Sequence, residues 1–462
     1  MPVEHVTSAV KEWAARRQAY TLYENYYAGR HELKFVTRDW QAKYAAEVLR
    51  GTVMAIRENL CPAVVTGFTD AIAVTSWGIG TDDAVGQVEG LSRLLGYVVR
   101  ECWKTGDAYV LVWPDGKGDP RPVFQRAHHM VPHVDPTNPA VLDWCARVWA
   151  DTTTKRGRVN IYCADRVERW ETQSVLATDS DRDPVGQLPE QASAWRPCTD
   201  AEGDMIPHAF GVVPVCWFKL DASDPVEHGI SVLNDVIPLQ DGLNASLAHM
   251  LINQEAYSRP FWYLLNFKPS DTPANPYLPS GPDAGPSPRQ AFDRTRQSIV
   301  THDGPGPFGQ LDPPDLTRLL EVQAAFKAKV CAVAGIPAYV MQAEIGSVPS
   351  GAALRTLERR RTDRIIAWQN DATPVLRGLK QLLGMKNGPI AWAPPIDLDE
   401  LERWQIAEIQ QSLGYALADI LSGLGETDVA GIAARAADAK AASATAAAQA
   451  FLDGRGASSY TG

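Results

Sequence analysis

The sequence predicts an α+β fold, mainly helical, and three observations predict it. Apolar residues recur every three or four positions through residues 4–27, 229–257, 312–334 and 351–384, the period of a helix with one face buried. Between residues 107 and 171 the period drops to two and turn residues punctuate the chain, as in short strands. At 462 residues, 45% hydrophobic and 21% charged, the chain can bury a sizeable core in more than one region.

The first helix, 4–27, sets Val6, Val10, Trp13 and Tyr20 on one side and ends in a tyrosine cluster, Tyr20 to Tyr27, whose helical spacing favours packing over stacking on a base or sugar. Further helices are expected at 59–74 and 84–104. Asp107-Ala-Tyr109-Val-Leu111-Val-Trp113 then reads as a strand and Pro114-Asp115-Gly116-Lys-Gly118 as a turn, with strands following at 122–125, 144–149, 158–163 and 167–171. Residues 173–205 are polar and irregular, and a mobile surface excursion is expected there. Val212 to Phe218 returns as an apolar strand. From Gly229 a helix should place Leu233, Ile237, Leu243 and Leu247 on one face and Asn234, Asp241 and Asn244 elsewhere, with Pro238 as a kink or a fresh start. Residues 261–265 form a strand candidate. Seven prolines between Lys268 and Gln290 exclude a helix or central strand and leave a rigid exposed loop.

Leu311-Asp312-Pro313-Pro314-Asp315 carries the start signals of the next helix: a cap, a proline for the first turn and a leucine to staple onto Leu316. Its apolar face, Leu316, Leu319 or Leu320, Phe326, Val330 and Val333, runs to the stop at Gly335-Ile336-Pro337. Ser350-Gly351 opens the following helix, which continues past Pro374 into Leu376, Leu379, Leu382 and Leu383. Residues 389–395 lead to a terminal helical region from about 399. Thirteen of the twenty-one residues from Ala430 to Ala450 are alanine, which favours helix but offers little area to bury, so neighbouring subunits are expected to hold it.

The chemistry-bearing residues form no catalytic set. Seven scattered cysteines with no Cys-x-x-Cys pair read as reduced thiols. His128-His129 with His133 mimics a ligand cluster, but strand neighbours point to opposite sides and no partner cysteine or His-Glu-x-x-His is present, so no metal and no cofactor is expected. A phosphate loop and a Gly-x-Ser-x-Gly nucleophile turn are both absent, which argues against an ATP-driven motor and ranks hydrolases low. The start has no secretory pattern, and no apolar run approaches membrane-spanning length. The one dense charge feature is Arg355, Arg359, Arg360, Arg361 and Arg364 against Glu358 and Asp363. Arg355 and Arg359, like Arg360 and Arg364, are four apart and share a side of the helix, where they either form ion pairs within this or an adjoining subunit or meet a passing DNA backbone. A net charge of −11 argues against a protein that clamps many phosphates and suits one that must not stick to nucleic acid.

Taken in order, several stretches resemble the portal proteins of tailed bacteriophages, especially those of siphophages of Gram-positive hosts. They are Tyr23-x-x-Tyr26-Tyr27-x-Gly29-x-His31, Gly106-Asp107-Ala108-Tyr109-Val110-Leu111-Val112-Trp113, Gly211-Val-Val-Pro214-Val215, the run from Gly229-Ile-Ser231 through Pro238-Leu-Gln240-Asp241-Gly-Leu-Asn244, Ala334-Gly335-Ile336-Pro337, and Pro349-Ser350-Gly351-Ala-Ala353-Leu354. The resemblance covers nearly the whole chain and implies a non-enzymatic head-to-tail connector. Such a protein forms a ring, usually a dodecamer, at one capsid vertex of the virion after assembly in the host cytoplasm. Double-stranded DNA passes through it without sequence recognition during packaging and ejection. Its implied partners are the terminase large subunit, the head-tail adaptor, the major capsid protein and a scaffolding protein; no membrane is involved. Mapped onto this chain, the resemblance implies a wing at 1–228 with an α+β unit at 107–171, stem helices at 229–257 and 312–335, and a clip with its connections at 258–311. A tunnel loop would occupy 336–350, a long helix and return 351–398, and a crown 399–462. The tunnel loop, Met341-Gln342-Ala343-Glu344-Ile345-Gly346-Ser347, holds one acid and no base, so weak steric contact with DNA is expected. The rival readings are another ring-forming adaptor, although adaptors are usually shorter, and a soluble enzyme, which would need convergent polar residues in a pocket.

Overall fold

The computed structural model describes residues 2–31, 58–78, 85–135, 137–176, 188–201, 203–224, 226–258, 262–264, 298–300, 308–310, 316–340, 351–385 and 388–395, with scattered helical positions beyond 406. The chain divides into two compact units, Met1–Pro395 and Ile396–Gly462. In the second, the described positions 407, 409–412, 420, 435 and 445 are helical, and the rest of the expected crown lies outside the described residues.

In the first unit, α1 (Pro2–Tyr27) is a single helix of 26 residues, about 39 Å long at 1.5 Å per residue. It serves as a spine. Val6, Val10 and Trp13 enter one buried cluster, Tyr20 a second and Tyr26 a third, so the spacing read from the sequence is realised and the tyrosines at its end are packing residues. The first cluster lies against β4 (Met130–Asp135), β5 (Asn138–Asp151), β6 (Arg156–Tyr162), β7 (Arg166–Thr172) and β8 (Trp195–Pro197), an antiparallel sheet in that order. Short β9 (Met205–Pro207) also pairs with β7. The described part of 173–205 is therefore not a free excursion: Trp195 and Leu188 are buried in this cluster, and β8 extends the sheet.

A second sheet joins β10 (Val215–Lys219), β2 (Asp107–Pro114) and β3 (Pro120–Gln125), with β2 in the centre. The centre is buried from Asp107 to Val112, and β3 alternates, as a half-covered edge should. The edge is protected by proline. The Val112 N–H donates to the Pro214 carbonyl at 2.9 Å on the β10 side, so Pro122 opposite it, and Pro120 two residues on, turn their donorless nitrogens outward.

Behind this sheet lie α2 (Cys61–Thr69) and α3 (Val85–Thr105), whose Phe68 and Trp103 rings stack at 4.3 Å. They share the largest core with α4 (Ile237–Ser258), α5 (Leu316–Ala334) and α6 (Gly351–Leu382). Gly242 lets α4 approach α5, since a Cβ there would lie 2.7 Å from the Phe326 ring. Two small sheets complete the unit: β1 (Val74–Ser76) with β14 (Ala391–Trp392), and β11 (Trp262–Leu264) between β12 (Ser298–Val300) and β13 (Phe308–Gln310).

Several expectations need correction. Helix makes up less than half of the chain, so the α+β class stands but "mainly helical" does not; the long β5 to β7 ladder takes the difference. The expected 59–74 helix stops at Thr69 and yields to β1. The helix expected from 229 starts at Ile237, with Pro238 in its first turn, where a missing N–H costs nothing, while 231–236 form turns. On α5, Val330 is buried and Phe326 partly so, but Leu320 and Val333 are exposed within one chain. The start signals at 311–315 and most of the proline-rich 258–311 stretch lie outside the described residues.

Candidate functional site

The described residues converge on a buried polar junction where two of the resembling motifs, those beginning at Gly106 and Gly229, meet. At its centre is Asp107, at the head of β2 and fully buried. Its Oδ1 accepts from the Trp217 indole at 2.9 Å and the Gly229 amide at 3.0 Å. Its Oδ2 accepts from the Tyr20 hydroxyl at 2.7 Å, His228 Nδ1 at 3.1 Å and the Arg16 guanidinium at 3.3 Å. The far His228 nitrogen, Nε2, meets Glu12 at 2.9 Å. Burial pushes the Asp107 pKa up, but the bonds from His228, Gly229 and Tyr20 outweigh it and hold the carboxyl below its ordinary value. Burial likewise pulls His228 down, and its bonds to Asp107 and Glu12 outweigh that and leave it raised. The His228 ring, with a carboxylate on each nitrogen, thus ties α1 to the strand and to the segment leading into α4.

The backbone is as close here as the side chains. A Cβ on Gly229 would lie 2.0 Å from the Gly106 carbonyl oxygen, and one on Gly106, whose φ is +96°, 2.3 Å from that of Gly229. Only two glycines admit this approach. Ser231 Oγ donates to the Lys104 carbonyl at 2.6 Å and accepts from the Leu233 amide at 3.0 Å, which fixes the turn before α4.

The first turns of α4 are held the same way. Asp241 accepts from the Tyr26 hydroxyl at 2.5 Å, Asn244 reaches His31 at 3.2 Å and the Glu58 amide at 3.0 Å, and Gln240 accepts from the Leu60 amide at 2.9 Å. Tyr26 and His31 stack at 4.1 Å. Asp241 and Asn244, expected away from the apolar face, are therefore buried, because the end of α1 supplies partners more than 200 positions earlier in the chain. Asn234 is exposed and takes the Tyr23 hydroxyl at 3.0 Å.

The tunnel-loop residues Met341 to Ser347 lie outside the described residues, as does the Arg355 side chain. Both flanks of the loop are described. Tyr339, in the turn before it, donates to Glu358 on α6, and burial together with that carboxylate pushes the Tyr339 pKa up to about 12. Three of the arginines are engaged within the chain. Arg360 donates to the Ala332 carbonyl at 2.7 Å and Arg364 to that of Ala334 at 3.1 Å, cationic caps on the C-terminal end of α5. Arg364 also pairs with Asp221 and lies over the Phe68 and Trp103 rings at 5.4 and 5.5 Å. Arg361 donates to the Gly67 carbonyl at 2.9 Å and lies 2.8 Å from Glu358. Arg359 faces solvent, with a 3.8 Å pair to Asp363 four residues on.

The histidines also sit differently from the strand expected. His128 and His129 belong to a short 3-10 turn, and only His133 is on β4, stacked on Trp144 at 4.7 Å. Glu24, Glu101 and His128 come close enough to hold a cation. Lys104 already fills that role, 2.6 Å from Glu101 and 3.3 Å from Glu24, and burial pushes His128 down to about 4, so it is neutral. Sequence reading missed this cluster and the Asp107–His228 pair, and only the strand-head position of Asp107 within a motif hinted at either.

A sequence model described as "Phage portal protein, SPP1 Gp6-like" matches residues 96–305. No curated protein matches. Among solved structures, the chain is similar to one titled "Neck of empty GTA particle computed with C6 symmetry", with TM-score 0.44, 14% identity, and coverage of 84% of this chain and 94% of that one. It is also similar to "Virion of native gene transfer agent (GTA) particle", with TM-score 0.42, 14% identity, and coverage of 79% and 89%. The motifs that close on Asp107, from Gly106 to Trp113 and from Gly229 to Asn244, both lie inside the matched segment, and the resemblance to phage portal proteins is thus a continuous family match across residues 96–305.

Proposed function

We propose that this chain is the subunit of a phage portal: a ring, dodecameric in the particle, through which double-stranded DNA is packaged and ejected. It acts as a structural connector, not as an enzyme. The observation that carries the reading is the portal-family match over 96–305, which takes in the central sheet, the Asp107 junction and α4. In this reading, residues 1–228 are the wing, 229–257 and 312–335 the stem, 258–311 the clip, 336–350 the tunnel loop, 351–398 the long helix and return, and 399–462 the crown. Terminase and then the head-tail adaptor dock on the clip, and capsid and scaffolding proteins surround the wing.

One feature of the stem supports a ring. Val322 and Val333 are 45% and 41% exposed and lie three turns apart on one side of α5, an apolar flank that a single chain leaves in water. The chain's net charge of −11 limits phosphate contacts to local ones, so DNA can slide. Three of the five arginines between 355 and 364 then serve the wing-to-stem joint through the carbonyls they cap, and Arg359 is an exposed cation.

Native mass measurement with end-on imaging tests this. Twelve copies of the 50.5 kDa chain around an open channel are expected, thirteen being acceptable for recombinant protein. A stable monomer at all salt and protein concentrations would overturn the reading.

A further inference from the structure

Resting on the ring reading, we infer that an arginine-lined groove on β3 and α3 receives the acidic loop at 221–230 of a second copy. The groove, about 1200 Å³, runs between the exposed side of α3 and the outer strand β3. Arg93, Arg121, Arg126 and Arg147 line it, and no acidic residue does among the described residues. Arg93 is exposed and has no ion pair among the described residues; Arg121 and Arg126 are held only loosely, by exposed pairs to Asp115 at 3.1 Å and Glu24 at 3.5 Å. Between the cations the surface is apolar. Tyr97 is half exposed and packs on Phe124 with ring centroids 6.0 Å apart, and Val123 is equally open. A nucleic-acid backbone would satisfy the guanidinium groups but leave this apolar floor wet. A peptide with acids beside aliphatic side chains satisfies both.

The same chain carries such a segment. After β10, Asp224 and Glu227 are exposed together with Val226 and Ile230, while Asp221 at the head of the loop is already paired with Arg364. The loop is preformed: Asp224 accepts from the Val226 amide at 2.8 Å and its carbonyl from the Glu227 amide at 3.1 Å. Its root is pinned by His228 on Asp107. The sheet order is β10-β2-β3, so the loop follows one edge strand and the groove lies on the other. A cationic apolar groove on one edge and an acidic apolar loop on the opposite edge is the arrangement that head-to-tail repetition around an axis requires. The donorless prolines on the outer edge of β3 leave side chains, not added strand pairing, to make the contact.

The test uses the full-length ring with charge reversals and a photo-cross-linker. Arg93→Glu with Arg121→Glu, and separately Asp224→Arg with Glu227→Arg, should each weaken subunit association about tenfold or more, through like charges facing each other across the contact. Combining all four substitutions should restore the ring, which a folding defect would not allow. A benzophenone side chain at Val123, in rings mixed from light and heavy isotope chains, should cross-link to residues 221–230 of a different chain. Wild-type rings with both reversals neutral, cross-links within one chain or to another segment, or reversals that leave the ring intact while abolishing DNA retention would each overturn the proposal and leave the ring reading standing. A wild-type monomer would remove the ring reading itself.

Discussion

Replacing Asp107 should be among the most damaging single changes in the described part of the chain. Its carboxylate is fully buried and takes five donors, from Tyr20, Arg16, Trp217, His228 and the Gly229 amide. Asparagine keeps the shape but turns an NH2 group toward one set of these donors; alanine removes both acceptors and leaves the His228 and Arg16 charges without their shared partner. Breaking one member of a buried charged set costs about 3–5 kcal/mol, a large part of the 5–15 kcal/mol that a folded protein has in total. The pH dependence has a definite sign. Asp107 has a depressed pKa, so its contribution is present above the ordinary carboxylate value and is lost as pH falls through the depressed one. His228 has a raised pKa, so its contribution is complete below the ordinary histidine value and is lost as pH rises through the raised one. The junction is therefore firmest between those limits. Hydrogen exchange of peptides from α1 and from 226–236, measured across pH on the assembled protein, reads it directly. Protection in the wild type should peak inside this window. In Asp107→Asn it should be low throughout, and in His228→Asn the loss on the alkaline side should disappear. Asp107→Asn with wild-type protection and an unfolding free energy lowered by less than about 0.5 kcal/mol would refute the reasoning.

Three other outcomes are expected. Gly229→Ala puts a Cβ 2.0 Å from the Gly106 carbonyl oxygen, and because the obstacle is backbone it should cost about 3 kcal/mol or more; soluble yield and thermal midpoint report it, and a neutral result would mean the two turns are not in contact. Arg364→Ala should destabilise by about 2 kcal/mol through loss of the Asp221 pair, a helix cap and its packing over two rings, while Arg359→Ala stays within about 0.5 kcal/mol; equal effects would contradict the separate roles of the two. Stoichiometric zinc should leave the thermal midpoint unchanged, because Lys104 already neutralises Glu24 and Glu101; stabilisation that vanishes in His128→Ala would show that the metal displaces the lysine.

What the sequence determined by itself was local. A period of three to four along 4–27 places Val6, Val10, Trp13 and Tyr20 on one buried side, because helix geometry alone decides which residues share a face. Alternation and turn residues locate β2, β3, β6 and β7 within a few positions, while β4 goes unseen and β5 begins six positions earlier than expected; Pro238 marks the start of α4, because its missing N–H suits a first turn. Only the tertiary structure decided the fate of the polar residues. Asp241 and Asn244 read only as lying off the apolar face until Tyr26, His31 and Glu58 arrive from more than 180 positions away to pair with them. Asp107 carries no local sign of the five donors that converge on it. The arginines from 355 to 364 read equally as ion-pairing or as DNA-facing until the carbonyls at the end of α5 and after Thr66 occupy three of them. Periodicity says which residues share a face; a buried charge is stable only where donors from distant parts of the chain meet it, and that convergence is a property of the fold.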